Sequence, residues 1–196
     1  MRSRWGGDGV NAFALVLLVV WFTVVFVLRS IVQKRKTGDS GIRPGAFAPD
    51  ASLVERAAYL LLVAAFVGAM VAPIAAIAGL DPLTDNRLVS AVGVVVAIVG
   101  IGATYAAQVG MGSEWRIGID RTEATGLVTS GPFDLVRNPI FTAMIFTAIG
   151  FAAMVPSVIA LAAVLLLSSC TSMDERSAAD AANQNSQMQG ALSASS

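Results

Sequence analysis

The sequence predicts an all-α, multi-spanning integral membrane protein of about five transmembrane helices, the last two forming a short hairpin. Three observations carry this. The 196 residues are 56% hydrophobic and 13% charged, with mean hydropathy +0.73, well beyond an ordinary soluble domain. The apolar residues fall in long blocks. Polar residues gather in short connectors punctuated by Gly and Pro, the composition of loops. Thirteen Lys and Arg balance thirteen Asp and Glu, which argues against a nucleic-acid partner, since that would need a basic surface. The single cysteine, Cys170, excludes an intramolecular disulfide framework and a cysteine-rich metal site. No metal is expected.

The first span is read over Val10–Leu28. About nineteen residues at 1.5 Å rise cross a hydrocarbon core of roughly 30 Å. A cleaved signal peptide is the alternative, and Arg2 and Arg4 suit it. The apolar run is too long, however, and no small-x-small cleavage site follows. Arg29, Lys34, Arg35 and Lys36 follow instead, as a stop-transfer flank, so an uncleaved span is expected. Residues Ser30–Ser52 read as a polar loop in which Arg29, Lys34, Arg35, Lys36 and Arg43 face only Asp39 and Asp50. Two roles stay open for this cluster: a topology determinant, which is favoured beside a span, or a patch for anionic lipid headgroups.

The second span is placed at Ala57–Leu80, where Pro73 should kink rather than break the helix. Its small residues, Ala64, Ala65, Gly68, Ala69 and Ala72, suit close helix packing. A connector, Asp81–Arg87, leads to a third span at Leu88–Ala107, with Gly93, Gly100 and Gly102 again assigned to packing. From Gln108 to Ser130 the chain is not membrane-like, with Glu114, Arg116, Asp120, Arg121 and Glu123 around Trp115. Trp115 is read either as an interfacial anchor beside a solvated charged face or as part of a functional segment.

Two apolar stretches of about fifteen residues follow, Ile140–Met154 and Val155–Ser169. Each is short for an independent span, and Gly150 and Pro156 offer a hinge between them. Charge asymmetry puts the loop after the first span in the cytoplasm and the connector at Asp81–Asp85 outside. The segment between the third and fourth helices and the C-terminus then fall on the cytoplasmic side. Residues 1–169 make one membrane domain. Residues 170–196, rich in Ser, Ala, Gln and Asn with no aromatic residue, cannot bury enough apolar surface to fold alone and are expected to be disordered.

Polar chemistry, turn signals and a helix start converge at Leu127–Phe141, LVTSGPFDLVRNPIF. Gly131 permits unusual backbone angles, and Pro132 fixes its own φ while restricting the residue before it. Phe133–Val136 is a short amphipathic segment. Pro139 suits the first turn of a helix, where a missing N–H costs little. Unpaired backbone groups near such a start could receive a polar ligand at the membrane surface.

With the preceding Gly126, these residues (GLVTSGPF, then VRNPIF) resemble the signature of the isoprenylcysteine carboxyl methyltransferase family and its bacterial membrane relatives. That signature runs Leu-Val-(Thr/Ser)-x-Gly-x-Tyr, then Arg-His-Pro-x-Tyr. The match is close over about fifteen residues and looser over Val89–Leu167. The resemblance implies an S-adenosylmethionine-dependent methyltransferase in a bacterial plasma membrane, whose partners are membrane lipids and a lipid-like or prenylated acceptor. It implies cofactor contacts at Gly126, Leu127, Val128, Phe133, Asn138, Pro139, Ile140 and Phe141, and a substrate role for Arg137. Relatives also carry a Gly-x-x-Trp-Arg stretch like the one around Trp115. It names no catalytic residue here, for the chain has no histidine and Asn138 stands where the family has His. Phe133 and Phe141 stand where it often has Tyr. Relatives continue past the last span into Arg-x-x-x-Glu-Glu and a tyrosine-containing region that closes over the cofactor. Asp174-Glu175-Arg176 has neither that order nor the tyrosines, as after a reading-frame shift. The implied alternatives are a chain impaired by loss of this lid, a non-catalytic or truncated relative, or a small structural membrane protein.

Overall fold

The first helix runs well past its apolar block. In the computed structural model, which describes residues 5–42, 51–115, 136, 138–170, 172, 173, 183, 186 and 187, α1 (Trp5–Phe22) passes through a π-helical segment, Thr23–Leu28, into α2 (Arg29–Thr37). The polar loop expected from Ser30 therefore starts only at Gly38, which ends α2 in the left-handed conformation at φ 79°. Glycine carries no Cβ penalty there. Helical bonding does not require apolar residues, so the stop-transfer flank continues as helix instead of uncoiling.

The helix α3 (Leu53–Ile77) starts four residues before its expected apolar block. Ser52 and Glu55 form a reciprocal capping box, the Ser52 hydroxyl accepting from the Glu55 N–H and the Glu55 carboxylate from the Ser52 N–H. That box satisfies two otherwise orphaned donors. Pro73 is buried inside α3, which continues four residues past it. Helix α4 (Arg87–Gly110) is capped by Asn86, whose side chain accepts from the Leu88 N–H. It absorbs Gln108, read above as the start of a polar segment. Helix α5 (Pro139–Met154) opens with Pro139 in its first turn, as the sequence predicts. A turn at 155–157 leads to α6 (Val158–Cys170), where the Ser157 hydroxyl accepts from the Ala160 N–H. The turn falls at Pro156. Gly150 is not part of the hinge but sits mid-helix and buried.

The described residues are thus all-helical, and three helices, over Gly9–Thr37, Leu53–Ile77 and Arg87–Gly110, are long and apolar enough to cross a membrane. This is the architecture of an integral membrane protein. The two shorter apolar helices α5 and α6 complete the bundle.

The tightest contact in the bundle joins α4 to α5. A Cβ on Gly93 would stand 2.6 Å from the Met154 nitrogen, one on Gly100 would collide with Thr147, and one on Gly150 would collide with the Ala97 backbone. The matched pairs 93/154, 97/150 and 100/147 run in opposite directions, so the helices are antiparallel. Helices approach this closely in a membrane only where side chains are absent, and dispersion is then the main attraction. Thr104 and Thr147 are buried beside this seam because each hydroxyl donates to a carbonyl of its own helix. Around the seam, Trp21 of α1 packs on Phe66 of α3 and Phe151 of α5 at ring separations of 5.5 and 6.1 Å. The α3–α4 connector meets the α5–α6 turn through Leu83 N–H donating to the Pro156 carbonyl at 2.7 Å.

Candidate functional site

Of the residues singled out in the sequence, Gly126, Leu127, Val128, Phe133 and Arg137 lie outside the described residues. The structure places the other four at the start of α5. The Asn138 side-chain oxygen caps the helix, accepting from the Phe141 N–H at 3.4 Å, while its carbonyl accepts from the Thr142 N–H and hydroxyl. Pro139 is buried, and Ile140 and Phe141 are half-buried against the apolar core. These four residues therefore build the helix start, whatever else they do. Two donors remain without a partner among the described residues, the Asn138 side-chain NH₂ and the Ile140 N–H. Both groups can donate to an acceptor such as a carboxylate.

The end of the motif segment is thus fixed at Asn138. The chain leaves α4 through a buried polar cluster absent from the sequence reading. Arg29 and Gln33, one turn apart on α2, are 5% and 1% exposed. The Arg29 guanidinium donates through Nη2 to the carbonyls of Gly112 (2.6 Å) and Gln108 (3.3 Å). Gln33 donates to the Ser113 carbonyl at 2.6 Å. The guanidinium also lies over the Trp115 ring, 4.9 Å from its centroid, and a Cβ on Gly41 would stand 3.0 Å from the Trp115 carbonyl and 3.1 Å from its ring. Trp115 is 2% exposed. It is neither an interfacial anchor nor on a solvated face, because Arg29 and the chain after α2 cover it.

Arg29 is consequently not a simple stop-transfer charge. Lys34, Arg35 and Lys36, its neighbours on α2, are exposed as that reading requires. Arg29 turns inward to the C-terminal end of α4, where unpaired carbonyls carry partial negative charge that favours a cation. Gln108 reciprocates, its amide donating to the Val25 carbonyl within the π-helical segment at 3.1 Å.

The π-helical segment explains how these side chains reach α4. Along α1 and the π-helical segment the buried positions are Ala14, Leu18, Trp21 and Val25, and Arg29 and Gln33 of α2 continue the line. A plain α-helix advances about 100° per residue, so from Ala14 to Gln33 it would overshoot whole turns by about 100°. The wider π turn advances roughly 80° per residue, and over Thr23–Leu28 it recovers about that angle. The spacing of four from Trp21 through Val25 and Arg29 to Gln33 was the sequence signal available for this cluster. It is masked there by the change from apolar to polar residues.

Comparison of the chain with protein families, with curated proteins and with solved structures finds no match.

Proposed function

We propose that this chain is a membrane-embedded S-adenosylmethionine-dependent methyltransferase of the isoprenylcysteine carboxyl methyltransferase type. Its five helices would all cross the membrane, with the segment between α4 and α5 and the C-terminal tail in the cytoplasm of a bacterial cell. The observation that carries the reading is the order and spacing of GLVTSGPF and VRNPIF at Gly126–Phe141. The chain leaves α4 at a held point, Gln108–Trp115, and rejoins α5 at Asn138 on the same tight helix pair, which is consistent with a binding segment between rigid supports.

When bound, S-adenosylmethionine supplies a methyl group already activated by its sulfonium. The protein's task is then to hold and align, and alignment alone accounts for a large part of such a rate. In this reading Gly126, Leu127 and Val128 provide backbone contacts, and Phe133 and Phe141 an aromatic wall. Asn138 offers its amide as a donor where relatives have histidine. Arg137 pairs with a carboxylate on a lipid-like or prenylated acceptor. A carboxylate acceptor is ionised at neutral pH and needs no general base, so a chain without histidine retains a route to the reaction.

The departure of Asp174-Glu175-Arg176 from the family's closing helix favours a second reading, in which the chain is impaired or non-catalytic. Calorimetric titration of the purified protein in nanodiscs with S-adenosylmethionine tests the first. Gly131→Val should abolish binding by distorting the turn. Asp85→Ala, on the α3–α4 connector at the far end of α4, should leave it unchanged. No binding by the wild-type chain, or equal binding by the Gly131 variant, sinks the assignment.

A further inference from the structure

We propose that Arg29 and Gln33 are positioning residues, which set where the chain leaves α4 towards the motif by clamping the backbone at Gln108, Gly112 and Ser113 and covering Trp115. The functional half of this proposal rests on the methyltransferase reading; the clamp itself does not.

Three observations converge on it. Among the described residues, the hydrogen bonds of the two side chains go to backbone carbonyls of the last turn of α4 and the turn that follows, the point where the chain enters residues 116–137. Helix α2 reaches that point only through the π-helical segment, which is held in turn by Gln108 through the Val25 carbonyl. Burial of Arg29 is also a costly choice. A guanidinium at the end of a span can rest in the headgroup layer at little cost. Arg29 is instead 5% exposed, with its Nε unpartnered and no carboxylate paired to it among the described residues. An arrangement that gives up solvation for carbonyls and a ring face fixes a geometry, whereas retention in the membrane requires only the charge. The opposite end of the segment is fixed by the Asn138 cap and buried Pro139 on α5, and α4 and α5 form the closest-packed pair in the bundle. Trp115 and Asn138, which bound the segment, thus stand on one frame.

The test uses the full chain in nanodiscs, with Gln33→Leu and Arg29→Met, Gln33→Asn as the conservative variant, and Met154→Ala as a control. Met154 is a core residue 1% exposed at the other end of α5, chosen to lower thermal stability without touching the clamp. Amide hydrogen exchange at residues 112–115 and the dissociation constant for S-adenosylmethionine are measured well below the unfolding temperature. The expected result is exchange at least tenfold faster at 112–115 in Gln33→Leu and Arg29→Met. Cofactor binding should weaken about tenfold or more in both, partly recover in Gln33→Asn, and stay unchanged in Met154→Ala. Unchanged exchange in the clamp variants overturns the clamp. Faster exchange with cofactor affinity no worse than in Met154→Ala overturns the positioning role. Absence of cofactor binding by the wild-type chain overturns the methyltransferase reading and the positioning role with it. The exchange data separate that outcome from failure of the clamp.

Discussion

Asn138 illustrates a side chain whose structural duty is independent of any ligand. Its Oδ1 accepts the Phe141 N–H at the first turn of α5, satisfying one of the donors that every helix start leaves open. Asn138→Ala should therefore lower stability by about 1 kcal/mol, and Asn138→Asp or Asn138→Ser should restore it, as read from thermal unfolding in detergent. A cofactor role would add a second signature. Asp would keep the cap yet remove the side-chain donor, so a variant with wild-type stability and weakened cofactor binding would separate the two duties. Equal stability of Asn138→Ala and wild type would show that the cap contributes nothing. Gly41 makes a related point with its backbone. Its φ of +73° and its contact with the Trp115 ring each oppose a side chain, so the loop after α2 can cover Trp115 only with glycine there.

At the scale of elements, the glycines of α4 divide into two kinds that composition cannot separate. Gly93 and Gly100 face α5 at distances that leave no room for a methyl group, whereas a Cβ on Gly102 would meet nothing within 4 Å. The sequence reading assigned all three to packing. For Gly102 that is corrected, because it points away from every described neighbour. Gly100→Ala should destabilise the α4–α5 pair by about 1–3 kcal/mol through overpacking against the Thr147 backbone. Gly102→Ala should stabilise α4 by up to about 1 kcal/mol through helix propensity. Thermal unfolding of the two variants side by side checks both signs, and a matching sign in the two would contradict the packing described for this seam.

At the scale of the whole molecule, Arg29 bonded to Gln108 and Gly112 puts the start of α2 beside the C-terminal end of α4, while Leu83 bonded to Pro156 gathers the α3–α4 and α5–α6 connections. If the bundle crosses a membrane, these two groups of connections emerge on opposite sides. Cysteines introduced as Gly38→Cys and Thr84→Cys in a Cys170→Ala background should therefore label from opposite faces, with position 84 reached by an impermeant reagent outside intact cells and position 38 protected. Labelling of position 38 from outside would overturn the cytoplasmic assignment, and labelling of both positions from one side would overturn the bundle topology. Catalytic capacity also belongs to this scale. A cofactor bearing an ammonium and a carboxylate needs both groups paired when it is buried, and misalignment of about 1 Å can cost on the order of a hundredfold in rate. On the proposed methyltransferase reading, replacing 171–196 with the closing segment of an isoprenylcysteine carboxyl methyltransferase should accordingly raise methyl transfer to a prenylcysteine analogue by about a hundredfold or more. Equal turnover by the unmodified chain would show that such a lid is dispensable here.

Sequence alone determined the class of the protein. Long apolar blocks have no stable alternative in water or lipid to packed helices, and Pro139 and Pro156 mark where a helix starts and where the chain turns because their backbone constraints are local. The resemblance at Gly126–Phe141 is likewise a property of the string, because it consists of order and spacing alone. Tertiary structure decided which polar residues leave the surface. Arg29, Gln33 and Gln108 look like ordinary span-flanking residues until α2 and α4 are brought together, since a buried hydrogen bond between positions about eighty residues apart has no local signal. It also decided which glycines matter, because a missing Cβ acquires a consequence only from the backbone opposite it. The π-helical segment falls between these cases. Its phase is written in the spacing of Trp21, Val25, Arg29 and Gln33, but only the partner helix shows that all four residues share one face.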